Sequence, residues 1–199
     1  METEQRNRRI VVGFLAGVIL FTTVMIFVVG PQMMQLRDTV EEQKLLFKCQ
    51  SVEDGNHVIV QMRAWEKPNP HPEIRVKLAG VDAAPLAEDV EDVQLQAWAA
   101  KHSLDPERAL IMGEAAHKTL LAFIRKQNIW MERADGQEMS ESLADDSEVY
   151  LFVSGTHVAL KLVESGLVLQ DVAGTGPYAE LYAAAEQRAR DKGRGLWAE

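Results

Sequence analysis

Apolar and polar positions change rhythm several times along this chain. Residues 10–29, IVVGFLAGVILFTTVMIFVV, form a single apolar run without a charge. At ~1.5 Å per residue such a run spans roughly 30 Å as a helix, the hydrocarbon thickness of a bilayer. Gly13, Gly17, Thr22 and Thr23 are tolerable there, because a helix satisfies its own backbone polar groups in lipid. The run exceeds the ~7–15 apolar residues of a cleaved leader, and no small-x-small signal follows at Val29-Gly30-Pro31. It predicts an uncleaved transmembrane helix. Arg6, Arg8 and Arg9 precede the run, whereas no basic residue follows it before Arg37. The positive-inside rule then keeps a tail, residues 1–9, cytoplasmic and sends residues 31–199 across the membrane. Residues 30–44, with Met33, Leu36 and Val40 at helical spacing, predict a juxtamembrane stalk.

From Leu45 the rhythm shortens, and residues 45–199 read as one folded domain. LLFKCQSVEDG, HVIVQMRAW and EIRVKLAGVD are short runs of β-branched and aromatic residues, split by Asp54-Gly55 and by the Pro-rich KPNPHPE. They predict a three-stranded meander. A helical region follows: DVQLQAWAAKH around Trp98, then DPERALIMGEAAHKTLLAFIRK to about Lys126. Asp105 fits an N-cap with Pro106 in the first helical position, and Leu110, Ile111, Ala115, Leu120 and Phe123 predict the buried side. NIWMER and EVYLFVSG predict two more strands, and HVALKLVESG a short helix stopped by Gly166. The last helix starts near Pro177, with Tyr178, Leu181, Tyr182, Ala185 and Ala189 on one face. Five strands interleaved with three helices in this order predict an α+β fold, a small closed barrel of the OB type.

Charge narrows the function. The net charge is -9, from 30 acidic and 21 basic residues. That balance disfavours a general phosphate-backbone binder, whose affinity rests on Lys and Arg. Cys49 is the single cysteine, which excludes an intrachain disulfide or a thiolate cluster and reads as a small buried hydrophobe, not a nucleophile.

Several motifs stand in a recognisable order. They are Asp54-Gly55-Asn56-His57, KLAGVDAAP at Lys77–Pro85, Gly113-Glu114-Ala115, YLFVSG with LVESGL, and Ala185-Glu186-Gln187-Arg188-Ala189 with Gly195-Leu196-Trp197. Together they resemble the DGDT-like turn, the RLxGVDTPE strand end, the YGxEA start of the first helix, the fifth strand with its helix, and the AExxA…GxW terminus of the staphylococcal nuclease (thermonuclease) family. The resemblance covers roughly Leu45 to Trp197. It implies an OB-fold barrel with helices beside it. It also implies a Ca2+-dependent phosphodiesterase site that cuts DNA and RNA: carboxylates on the metal, a glutamate as base or water-positioner, and two arginines on the phosphate. The chemistry needs those groups, since a hard cation seeks anionic oxygens and the charge gathering on phosphorus seeks forked donors.

Carried over position by position, that site is depleted. The metal aspartate of the turn is Asn56, and the second survives as Asp82. These two are the remaining candidates for metal ligands. AAPL follows Asp82, so Pro85 or Leu86 stands where the glutamate is expected. The first arginine is Lys77, charged but without the bidentate fork. The second falls on Asp146, and the surrounding segment Ala134–Glu148 contains no Lys or Arg to take its place. It carries Asp135, Glu138, Glu141, Asp145, Asp146 and Glu148 instead, which repel a phosphodiester.

The remaining groups suggest little chemistry. His57, His71, His102, His117 and His157 have no zinc-site spacing, although His57 adjoins Asn56 and could line the remnant cleft. Arg188, Arg190, Lys192 and Arg194 sit where they complement a helix C-terminus. The expected function is a membrane-tethered, catalytically degenerate domain acting as a binding or scaffolding module, with no cofactor. Its expected partners are the membrane and another protein, nucleic acid being disfavoured. The alternatives are a Ca2+-dependent nuclease with a rearranged site and a structural subunit of a membrane complex.

Overall fold

The structure, a computed structural model, describes residues 45–64, 68–139, 143–171 and 176–198. The expected tail (1–9), transmembrane helix (10–29) and stalk (30–44) lie outside the described residues. Among those described, no helix is long and apolar enough to cross a membrane.

Strands β1 (Phe47–Val52), β2 (His57–Met62) and β3 (Glu73–Leu78) form the antiparallel meander. Val58, Val60 and Met62 of β2 and Ile74, Val76 and Leu78 of β3 are buried, the period-two pattern of strands with one face on a core. A two-residue strand, β4 (Val81–Asp82), continues from β3 after a turn at Ala79-Gly80. Next come β5 (Ile129–Arg133) and β6 (Ser147–Val153), antiparallel, with Met131 opposite Leu151. Phe47 pairs with Ile129, and β6 runs parallel to β3 with Leu78 beside Val149. These two junctions close β1, β2, β3, β6 and β5 into a five-stranded barrel without an open edge. Two further short strands, β7 (Thr156–His157) and β8 (Leu169–Gln170), pair with β6 and β4.

Among the described residues four helices accompany the barrel, where three were expected. The first helical region is two elements, α1 (Val93–His102) and α2 (Pro106–Ile124). Ser103 separates them in the left-handed region at φ 54°, and Asp105 then caps α2 by accepting from the Glu107 amide. Asp92 caps α1 by accepting from the Gln94 and Leu95 amides. α3 (Val158–Glu164) and α4 (Ala179–Asp191) follow, with a 3-10 turn at Gly195–Trp197. The motif expected to open the first helix, Gly113-Glu114-Ala115, lies inside α2, so α1 is the added element. It has its own small core, in which Leu95, Trp98 and Ala99 meet Ala84, Ala109, Leu169 and Leu196.

The buried side of α2 also differs from the expected one. Ala109, Gly113, Ala116, Leu120 and Ile124 are buried, whereas Ile111 is 60% and Phe123 36% exposed. Close approach sets this phase. A Cβ on Gly113 would lie 2.8 Å from the Pro85 carbonyl oxygen, and one on Gly55 would lie 2.9 Å from the Ala116 Cβ. Only small residues fit at these two contacts, and Ile111 and Phe123 turn outward. Leu181 in α4 is likewise half-exposed, with Tyr182, Ala185 and Ala189 forming the buried stripe.

Candidate functional site

The turn before β2 is built by Asp54. Its Oδ1 accepts from the amides of Asn56 at 2.8 Å and His57 at 2.7 Å, while Oδ2 lies 2.8 Å from His57 Nδ1. This is the side-chain-to-backbone bonding that favours Asp in turns. Burial pushes the Asp54 carboxyl up, but the bonds from His57 and the two amides outweigh it and hold the group below the ordinary carboxylate value. Asn56 is buried, and its carbonyl accepts from the Leu78 amide at 2.8 Å, which ties the turn to the end of β3. A Cβ on Gly55 would lie 2.7 Å from the Ala83 Cβ, so the same turn also abuts the residue after Asp82.

Arg75 and Lys77 alternate with buried residues along β3 and share its outer face. The parallel pairing of β3 with β6 puts Glu148 beside Lys77, and their charges meet at 2.8 Å. Arg75 donates from Nε to Glu53 at 2.6 Å and from Nη1 to Asp146. Asp146 also donates its amide to the Arg75 carbonyl at 2.8 Å and sits at φ 60°. Asp146 and Glu148 of the acidic segment therefore face the basic side chains of β3.

Asp82 turns toward the added helix. Oδ1 accepts from Trp98 Nε1 at 2.7 Å, and Oδ2 lies 2.6 Å from Lys101 Nζ and 3.0 Å from His102 Nε2. Trp98, Lys101 and His102 fall at i, i+3 and i+4, one face of α1. Burial pushes the Asp82 carboxyl up, and the bonds from Lys101, Trp98 and His102 overcome that and hold it below its ordinary value.

The four positions singled out in the sequence thus lie around one strand and the turns beside it. Asn56 is bonded to the end of β3, Lys77 is in it, Asp146 is bonded to its backbone, and Asp82 follows it. The side chains of Lys77, Asp82 and Asp146 are engaged by other residues. Arg75, Glu148, Trp98, Lys101 and His102 were not identified from the sequence as members of the site. Two signals could have found all but Glu148: the i, i+2 spacing of Arg75 and Lys77 on a strand, and the WxxKH face of a helix.

Asn56 and Asp82 are the residues that could offer oxygens to a hard cation. Both Asp82 oxygens already accept from N–H donors, one of them a full positive charge, and Asn56 is neutral. Among the described residues no three His, Cys, Asp or Glu side chains converge as a metal-holding group. The donor set does not fit Ca2+, which takes ~6–8 oxygen ligands. No curated protein matches the chain. Residues 75–199, from the middle of β3 through both short strand pairs to the C-terminal turn, match the family model described as staphylococcal nuclease homologue, and the chain belongs to that family.

Proposed function

We propose that this protein is a membrane-anchored, non-catalytic member of the staphylococcal nuclease family whose barrel domain serves as a binding or scaffolding module for another protein. One observation carries the reading. Each charged group at the positions the family uses for metal and phosphate is neutralised within the chain: Lys77 by Glu148, Asp146 by Arg75, and Asp82 by Lys101. A phosphodiester would have to displace carboxylates to reach β3, and a metal would have to displace an ammonium to reach Asp82. Loss of a single preorganised electrostatic group typically lowers turnover by ~10²–10³. The effects of several such losses do not add simply, because groups acting as a unit are non-additive. An aspartate standing where an arginine is expected adds repulsion to the loss. The anchor rests on the apolar run 10–29 and its arginine flank.

The test is cleavage of a fluorogenic single-stranded oligonucleotide at millimolar Ca2+ by the detergent-solubilised full chain, beside Asp82→Ala. The expected result is no hydrolysis above background in either. Activity in the wild type that disappears in the variant would replace this reading with a Ca2+-dependent nuclease with a rearranged site.

A further inference from the structure

Helix α1 delivers three donors to one carboxylate. The Lys101 ammonium is 2.6 Å from Asp82 Oδ2, the Trp98 indole 2.7 Å from Oδ1, and His102 Nε2 3.0 Å from Oδ2. Asp171, whose amide donates to the Gly80 carbonyl at 3.0 Å, adds a second negative charge acting on Lys101. The ammonium therefore contacts one carboxylate and lies in the field of a second, next to the β4–β8 pair. The helix that brings it is held independently, by Leu95 and Ala99 in the small core and by the Asp92 cap.

From this geometry we infer that Lys101 is a tethered counter-ion that occupies the cation position at Asp82, so that α1 replaces a metal with a side chain of the chain itself. A compact ammonium with three donors can satisfy a carboxylate as a point charge and needs no other oxygen ligands. A divalent cation would bring more charge, but it would have to expel Lys101 and break the Trp98 and His102 bonds to reach the same oxygens. The Lys101 side chain is 63% exposed, so its loss uncovers the carboxylate without opening a core.

The inference rests on the reading of a non-catalytic domain, and it is tested without hydrolysis, so the two fail separately. The probe is Tb3+, whose emission is sensitised by a nearby indole; Trp98 is in contact with Asp82. The full chain in detergent is titrated as wild type, Lys101→Met and the Lys101→Met/Asp82→Asn double variant, with circular dichroism confirming the fold of each. The expected result is no saturable emission from the wild type, a saturable gain in Lys101→Met, and loss of that gain in the double variant. Three outcomes overturn the inference. A wild type as bright as Lys101→Met means that the ammonium does not compete. A dark Lys101→Met means that it held no cation position. A gain that survives Asp82→Asn places the metal elsewhere.

Discussion

His157 Nε2 lies 3.2 Å from the Tyr182 hydroxyl, which also lies 3.2 Å from the Ala79 carbonyl oxygen. The Leu160 amide donates to His157 Nδ1 at 3.4 Å, which assigns the proton of the neutral ring to Nε2. The relay then runs from imidazole to phenol to the Ala79 carbonyl in the turn after β3. It binds the start of α3 and the middle of α4 to the barrel. Tyr150, Phe152 and Tyr178 surround the imidazole edge-on or tilted, an apolar setting that favours the uncharged ring.

Stability should therefore depend on pH through His157. Burial lowers its pKa from 6.5 to about 4. Between those values the unfolded chain binds a proton that the folded chain does not, so unfolding becomes easier as pH falls. The contribution of the neutral ring is complete above pH 6.5 and is lost as pH drops to about 4. Urea unfolding of wild type and His157→Gln, compared at several pH values in this window, isolates the effect from other titrating groups. The wild type should lose its advantage toward the acidic end; a difference constant with pH would contradict the assignment.

The phase of α2 gives a second expectation. Gly113→Ala places a methyl group 2.8 Å from the Pro85 carbonyl oxygen, backbone that cannot rotate away. Overpacking of this kind costs about 1–3 kcal/mol. Ile111→Ala, two residues earlier and 60% exposed, should change stability by no more than about 0.5 kcal/mol. The sequence pattern ranks these positions the other way, with Ile111 in the core, so equilibrium denaturation of both variants decides between the two phases.

Topology provides the third. The arginines at 6, 8 and 9 precede the apolar run, so residues 31–199 should lie outside the cytoplasm. Alkaline phosphatase fused after Glu199 should be active in a bacterial host, since it folds only outside the cytoplasm. An inactive fusion, with activity from a cytoplasmic reporter at the same position, would reverse the orientation.

Much of the barrel was legible in the chain because its cues are local. Alternation along β2 and β3 depends on one strand and one core face, and the strands fall where the pattern places them. Asp105 followed by Pro106 announces a helix start through backbone sterics and one side-chain bond, and α2 begins there. The motif order fitted a family that residues 75–199 then matched. The absence of Lys and Arg from Ala134–Glu148 needed only reading.

What the tertiary structure alone decided depends on contacts between distant residues. Asp146 meets Arg75 across 71 positions of sequence, and Lys77 meets Glu148 across the same separation, because β6 closes the barrel by lying parallel to β3. No local pattern encodes that neighbour. Asp82 read as a remaining candidate metal ligand; the added helix, 16 to 20 residues further along the chain, supplies its three donors. The face of α2 that turns inward was set by how closely Gly113 approaches the Pro85 carbonyl and Gly55 approaches the Ala116 side chain. Hydrophobicity registers which residues avoid water, but the shape of the opposing surface selects which of them can fit against it.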